Sequence, residues 1–137
     1  MSDLFIEILM LDQRESIRPE IPRAVVRSNM TEAEQFQNKT LRPIAKMQHS
    51  LLIAVFQDYL EKKKHVVYHL SEKIFNEYLE NTFAKDIAFR SHLKGLIIGH
   101  FTMEEYSFYI SNNSEINKRI TNLLKERLRS SREEFVK

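Results

Sequence analysis

Cysteine and tryptophan are absent from this 137-residue chain, which holds only two glycines and three prolines. Without cysteine there is no disulfide framework, thiol nucleophile or thiolate metal site. A reducing cytosol is permitted but not required. So few glycines and prolines weigh against an all-β fold, which needs many tight turns. Charge of one sign is also lacking. Twenty-one Lys and Arg face nineteen Asp and Glu, a formal surplus of +2 that is too small to name a polyanionic partner. The apolar start, Leu4 to Leu11, is interrupted by Glu7 and preceded by Asp3. A basic start, a longer apolar core and a small-residue cleavage site are missing, so a secretory signal is not expected and a cytoplasmic location is.

Several chemical signatures are missing too. No GxxxxGK[ST] run is present to cradle a phosphate, and no GxGxxG to hold a dinucleotide. There is no HExxH zinc helix and no GxSxG nucleophile turn. No histidine has a glutamate three residues before it, which argues against a bundle with a di-metal carboxylate centre. No catalytic residue, metal ligand or cofactor is therefore expected, and the reading leans away from an enzyme.

What is present is helical periodicity. The stretch Thr40 to Leu60, TLRPIAKMQHSLLIAVFQDYL, is the natural centre of the chain. On a helix, Ile44, Met47, Leu51, Val55 and Tyr59 stack on one side, widened by Ala45, Leu52 and Phe56. Ile53 and Leu60 lie round the back, as expected of a helix enclosed by others. Arg42, Lys46 and Asp58 argue against a membrane span, because a charge at bilayer depth costs roughly 2.5–3.5 kcal/mol. Pro43 suits the first turn of this helix, or kinks a longer one that begins at the capping box of Thr31 and Glu34. Lys62, Lys63 and Lys64 then suit the helix dipole at its end.

Ser71 caps the next helix, with Leu70 and Phe75 as a hydrophobic staple. Phe75, Leu79, Phe83, Leu93 and Ile97 share one face, with Tyr78, Phe89 and Leu96 beside it. The pattern reaches Gly99, with room for a bend near Lys85. Gly99 suits a left-handed helix terminus. Gly95 lies inside the pattern and costs about 1 kcal/mol relative to alanine, so a close crossing by another helix is expected there. Thr102 and Glu105 form a second capping box, and Phe101 with Tyr106 a second staple. A short helix follows to about Ser111. Asn112 to Ser114 then turn the chain, with Ser114 as the expected cap. Ile116, Ile120, Leu123, Leu124 and Leu128 form the stripe of the last helix.

The expected architecture is a single all-α domain of about five helices with a long central pair. Residues 1–30 form an arm, 31–130 the helical core, and 131–137 a frayed end. Within the arm, residues 3–11 lean to helix, and Arg14 to Asn29, broken by Pro19 and Pro22, reads as irregular. The arm wraps its own domain or crosses to a second copy.

Candidate site residues are few. Glu61, His65 and His69 would share a face on one unbroken helix, but the start signal at Leu70 and Ser71 puts His69 in a loop, so no metal site is expected. Gln48 falls within the central apolar face, with His49 next to it. Asp86 and Arg90, four apart, fall within the other. Buried charges are usually paired. Asp86 and Arg90 therefore form either a structural pair or, with Gln48 and His49, a polar ligand pocket between the long helices.

The segments LRPIAKMQHSLLIAVFQDYLEKKKHVVYHLS and FRSHLKGLIIGHFTMEEYSFYI, within residues 30–128, resemble a family of small uncharacterised all-helical bacterial proteins. Some of its members are labelled glyoxalase-like. That label implies a metal-dependent lyase with ligands on strands, and no residue here matches those ligands, so none is carried over. The resemblance implies a compact bacterial helical domain.

Three functions compete. The first is a non-catalytic interaction or regulatory domain that forms a homodimer. The second is a small-molecule enzyme or binder using Gln48, His49, Asp86 and Arg90. The third is nucleic-acid binding through Lys118, Arg119, Lys125, Arg127, Arg129 and Arg132. Glu115, Glu126, Glu133 and Glu134 dilute that basic set and rank it last.

Overall fold

The described residues of the computed structural model, 13–21 and 25–134, contain six helices and no strand. α1 covers residues 32–47. It is built from an α segment Glu32–Phe36, a π-helical turn Gln37–Leu41 and a second α segment Arg42–Met47. α2 is His49–Lys63, α3 Glu72–Lys85 and α4 Ile87–Ile98. α5 is Met103–Ser111 and α6 Asn113–Ser130. Short 3-10 turns lie at Gln13–Glu15 and Arg132–Glu134. The helix expected at residues 3–11 falls outside the described residues.

Pro43 explains the π turn. In a continuous α-helix its ring would meet the carbonyl four residues back. Here the Arg42 N–H reaches five residues back to Gln37, and the added residue makes room for the ring. The helical path then bends at Gln48 (φ −89°, ψ 4°) before α2 begins. That bend turns the apolar face expected of residues 40–60. Leu52, Ile53, Phe56 and Leu60 are buried, whereas Leu51 is exposed and Met47, Val55 and Tyr59 are only half-buried.

The hub is α6 instead. It packs against α1, α3, α4 and α5. Its stripe of Ile116, Ile120, Leu123, Leu124 and Leu128 is wholly buried, as the periodicity predicts. Amphipathicity set against a strongly charged outer face made this helix legible. The apolar centre of the chain was a weaker guide, because a backbone bend decides which of its many apolar positions turn inward.

The face running from Phe75 to Ile97 is buried as expected, but on two helices. The path breaks at Asp86 (φ −93°, ψ 88°), whose carboxylate accepts the Phe89 N–H at 3.0 Å and caps α4. Phe83 and Phe89 meet edge to face across the break, and Tyr59 stacks on Phe89 with ring centroids 4.2 Å apart.

Both glycine expectations fail. A Cβ at Gly95 would meet nothing within 4 Å, so no helix crosses there. Gly99 is right-handed (φ −60°). The left-handed helix terminus belongs to Lys64 (φ 57°). There the His65 N–H reaches back to the Leu60 carbonyl and the Lys64 N–H to Glu61, the paired bonds of a Schellman motif. Among the start signals, Thr102 and Glu105 form a complete capping box. Thr31 and Ser71 accept their N3 amide hydrogens at 3.1 and 3.3 Å. Ser114 is no cap, because α6 starts at Asn113 with Asn112 in the cap position, two residues earlier. At the other end Ser131 is buried, whereas Glu133 and Glu134 are exposed.

Candidate functional site

The four residues expected to line a pocket have four separate sets of side-chain partners. Gln48 donates from Nε2 to the Leu96 carbonyl at 3.1 Å. That carbonyl lies in the last turn of α4, where the His100 N–H has turned to Ile97 instead, so Gln48 serves an orphaned acceptor.

His49 lies between α6 and the C-terminal turn. Its Nε2 is 2.9 Å from Glu134 Oε2, and its Nδ1 is 3.2 Å from Arg127 Nη1. With the proton on Nε2, the ring donates to the Glu134 carboxylate and accepts from Arg127 Nη1, while the buried Arg127 Nε has no hydrogen-bond partner among the described residues. Burial, then nearby Arg42, lowers the Arg127 pKa. Gln57 donates to the Glu134 carbonyl at 3.2 Å, which fastens the turn a second time. Arg132 donates to the Leu70 carbonyl and lies 5.4 Å above the Phe75 ring.

Asp86 and Arg90 do not pair. Asp86 accepts from the Phe89 N–H and from the Tyr59 hydroxyl, the latter at 2.9 Å. These two bonds lower its pKa, while burial and then Asp86 raise that of Tyr59. Arg90 donates to the Phe83 carbonyl at 2.8 Å and satisfies the end of α3. The break at Asp86 parts the two residues into neighbouring caps. Asp86 was recognised as a charge on an apolar face, but its preference for helix starts was the stronger signal.

No group of three His, Cys, Asp or Glu suited to a metal ion occurs among the described residues. The left-handed Lys64 divides Glu61 from His65, so the face they would have shared does not exist. The His65 ring contacts the Tyr78 hydroxyl at 2.8 Å instead.

The basic residues of α6 are largely engaged within the chain. Lys125 and Arg129 meet Glu80 at 2.9 and 3.3 Å. Arg119 meets Glu115 at 2.9 Å and Gln37 at 2.8 Å. Together with Arg127 on His49 and Arg132 on Leu70, five of the six basic candidates have intramolecular partners, leaving Lys118 outside these pairings.

A stronger polar constellation was missed in the sequence. Arg18, in the arm, forms a bidentate pair with Glu105 of α5 at 2.6 and 2.7 Å. It also donates to the His100 carbonyl at 2.6 Å. Its side chain is 4% exposed. Glu105 further accepts from the Thr40 hydroxyl at 2.9 Å and the Thr102 N–H at 2.8 Å. Burial pushes its carboxyl up, but the bonds from Arg18, Thr102 and Thr40 outweigh that and hold it below the usual glutamate range. Glu105 was visible as the N3 residue of a capping box. Nothing local marks Arg18, because its partners come from the far end of the chain.

Next to this constellation, a cleft of about 330 Å³ opens between α1, α5 and the arm. Thr40, Thr102 and Glu105 line one wall. Phe36 and Phe108 stack there with centroids 4.9 Å apart.

No family model, curated protein or solved structure matches the chain. No helix among the described residues is long and apolar enough to cross a membrane.

Proposed function

We propose that the chain is a non-catalytic helical interaction domain that pairs with a second copy of itself through α5. One observation carries this reading. α5 buries none of its residues, and Met103, Tyr106 and Ile110 lie exposed on it at i, i+3 and i+7. Met103 is 68% and Ile110 54% exposed. This spacing is that of an apolar stripe meant for a facing helix. Exposed Ile17, next to the Arg18 that is pinned to α5, adds to the apolar surface near the arm.

A second copy is the favoured occupant for two reasons. The stripe covers about two helical turns, and a two-fold axis sets the same patch against itself, doubling a contact that is small on one chain. The formal charge of +2 also leaves little repulsion between copies. The alternative of a small-molecule pocket at Gln48, His49, Asp86 and Arg90 draws no support from side chains spent on four separate sets of partners.

Sedimentation velocity at micromolar concentration is expected to give a dimer for the wild type. Ile110→Glu is expected to give a monomer with an unchanged circular dichroism spectrum. A wild-type chain that stays monomeric at tens of micromolar overturns the reading.

A further inference from the structure

We infer, on the reading of α5 as a pairing surface, that the two copies of α5 lie antiparallel, with Met103 of each chain against the partner's Ile110 and Glu104 facing the partner's Lys118. Met103, Tyr106, Ser107 and Ile110 are the i, i+3, i+4 and i+7 positions of one helical face, and all four are exposed. The midpoint of that face falls between Tyr106 and Ser107. A two-fold axis through the midpoint, perpendicular to the helix, runs the two copies in opposite directions and gives every side chain of the face a counterpart. Each Met103 then lies level with the partner's Ile110. Each Tyr106 lies level with the partner's Ser107, so a large ring meets a small side chain and the helices can approach.

Charge disfavours the parallel alternative. Parallel copies in register set Glu104 against Glu104 and bring two acidic helix starts together. Antiparallel copies instead bring Glu104 level with the partner's Tyr109. The Tyr109 hydroxyl donates to Asn117 Oδ1 at 2.6 Å, which fixes where α6 passes this end of α5. Lys118 follows Asn117, is exposed, and has no ion pair among the described residues. Glu104 is likewise exposed and without an ion pair among them. Two opposite charges left over on one chain thus stand near opposite ends of the stripe, and the two-fold joins them twice in each dimer.

The chain has no cysteine, so introduced thiols are the only ones present. Met103→Cys and Ile110→Cys are prepared as separate full-length chains and oxidised mildly, each alone and the two mixed. In the antiparallel register equivalent positions stand about 10 Å apart along the helix, beyond the reach of a disulfide, whereas positions 103 and 110 of opposite chains are adjacent. The mixture is expected to cross-link several-fold faster than either variant alone. Sedimentation velocity on the reduced samples reads the pairing itself. Dimers in which a single variant cross-links as fast as the mixture overturn the antiparallel register and leave the pairing standing, whereas a wild-type monomer overturns both. Glu104→Lys and Lys118→Glu are each expected to weaken the dimer several-fold, and the chain carrying both reversals to regain wild-type affinity. A loss that the double reversal does not restore overturns the charged contact.

Discussion

Arg18 and Glu105 stand 87 residues apart in sequence and meet through two parallel charge-assisted bonds of 2.6 and 2.7 Å. The pair fastens the arm to α5, and Glu105 completes the α5 cap with the same carboxylate. Removing Arg18 leaves a half-buried carboxylate without its counter-charge. Breaking such a pair typically costs 3–5 kcal/mol, so Arg18→Met should destabilise by about 3 kcal/mol in urea unfolding. The remaining bonds from Thr40 and Thr102 place the expectation at the low end. A loss under about 1 kcal/mol would show that the arm contributes little.

Acid should release the same lock. The folded-state pKa of Glu105 is depressed below its unfolded value. Its contribution is therefore complete above the unfolded glutamate range and is lost as pH falls through the lowered folded value. Across that window the unfolded chain binds more protons, so stability rises with pH. Glu105→Gln should be less stable at neutral pH and show a flatter decline in melting temperature on acidification. A slope identical to wild type would assign the acid sensitivity to another group.

Gly95 should be improvable. With open space around its absent Cβ, nothing in the fold offsets its poor helix propensity. Gly95→Ala should stabilise by roughly 0.5–1 kcal/mol and raise the melting temperature. A destabilised variant would reinstate the crossing expected from sequence.

Lys64 calls for the opposite substitution. A non-glycine residue in the left-handed region carries about 1–2 kcal/mol of steric cost. Lys64→Gly should therefore stabilise the end of α2 by about 1 kcal/mol, less the entropy that glycine adds to the unfolded chain. Hydrogen exchange at the His65 amide, which closes the Schellman motif, should slow with it. Faster exchange would show that the lysine side chain holds the turn.

The sequence by itself determined the helical class and most of the inward faces. Phe75, Leu79, Phe83, Leu93 and Ile97, and the stripe from Ile116 to Leu128, are legible because helix period and burial coincide. The cap at Thr102 and Glu105 was legible because its partners lie three residues apart. Tertiary structure alone decided what depends on distant contacts or local backbone choices. It selected Lys64 over Gly99 for the left-handed position, because the Schellman bonds formed at the end of α2. It divided Asp86 from Arg90, since each served a different helix end at the break. It brought Arg18 to Glu105 and Thr40, a meeting with no periodicity to announce it. Local patterns encode what lies within a few turns. The arm lock and the cleft beside it depend on closing a stretch of the chain across 87 positions.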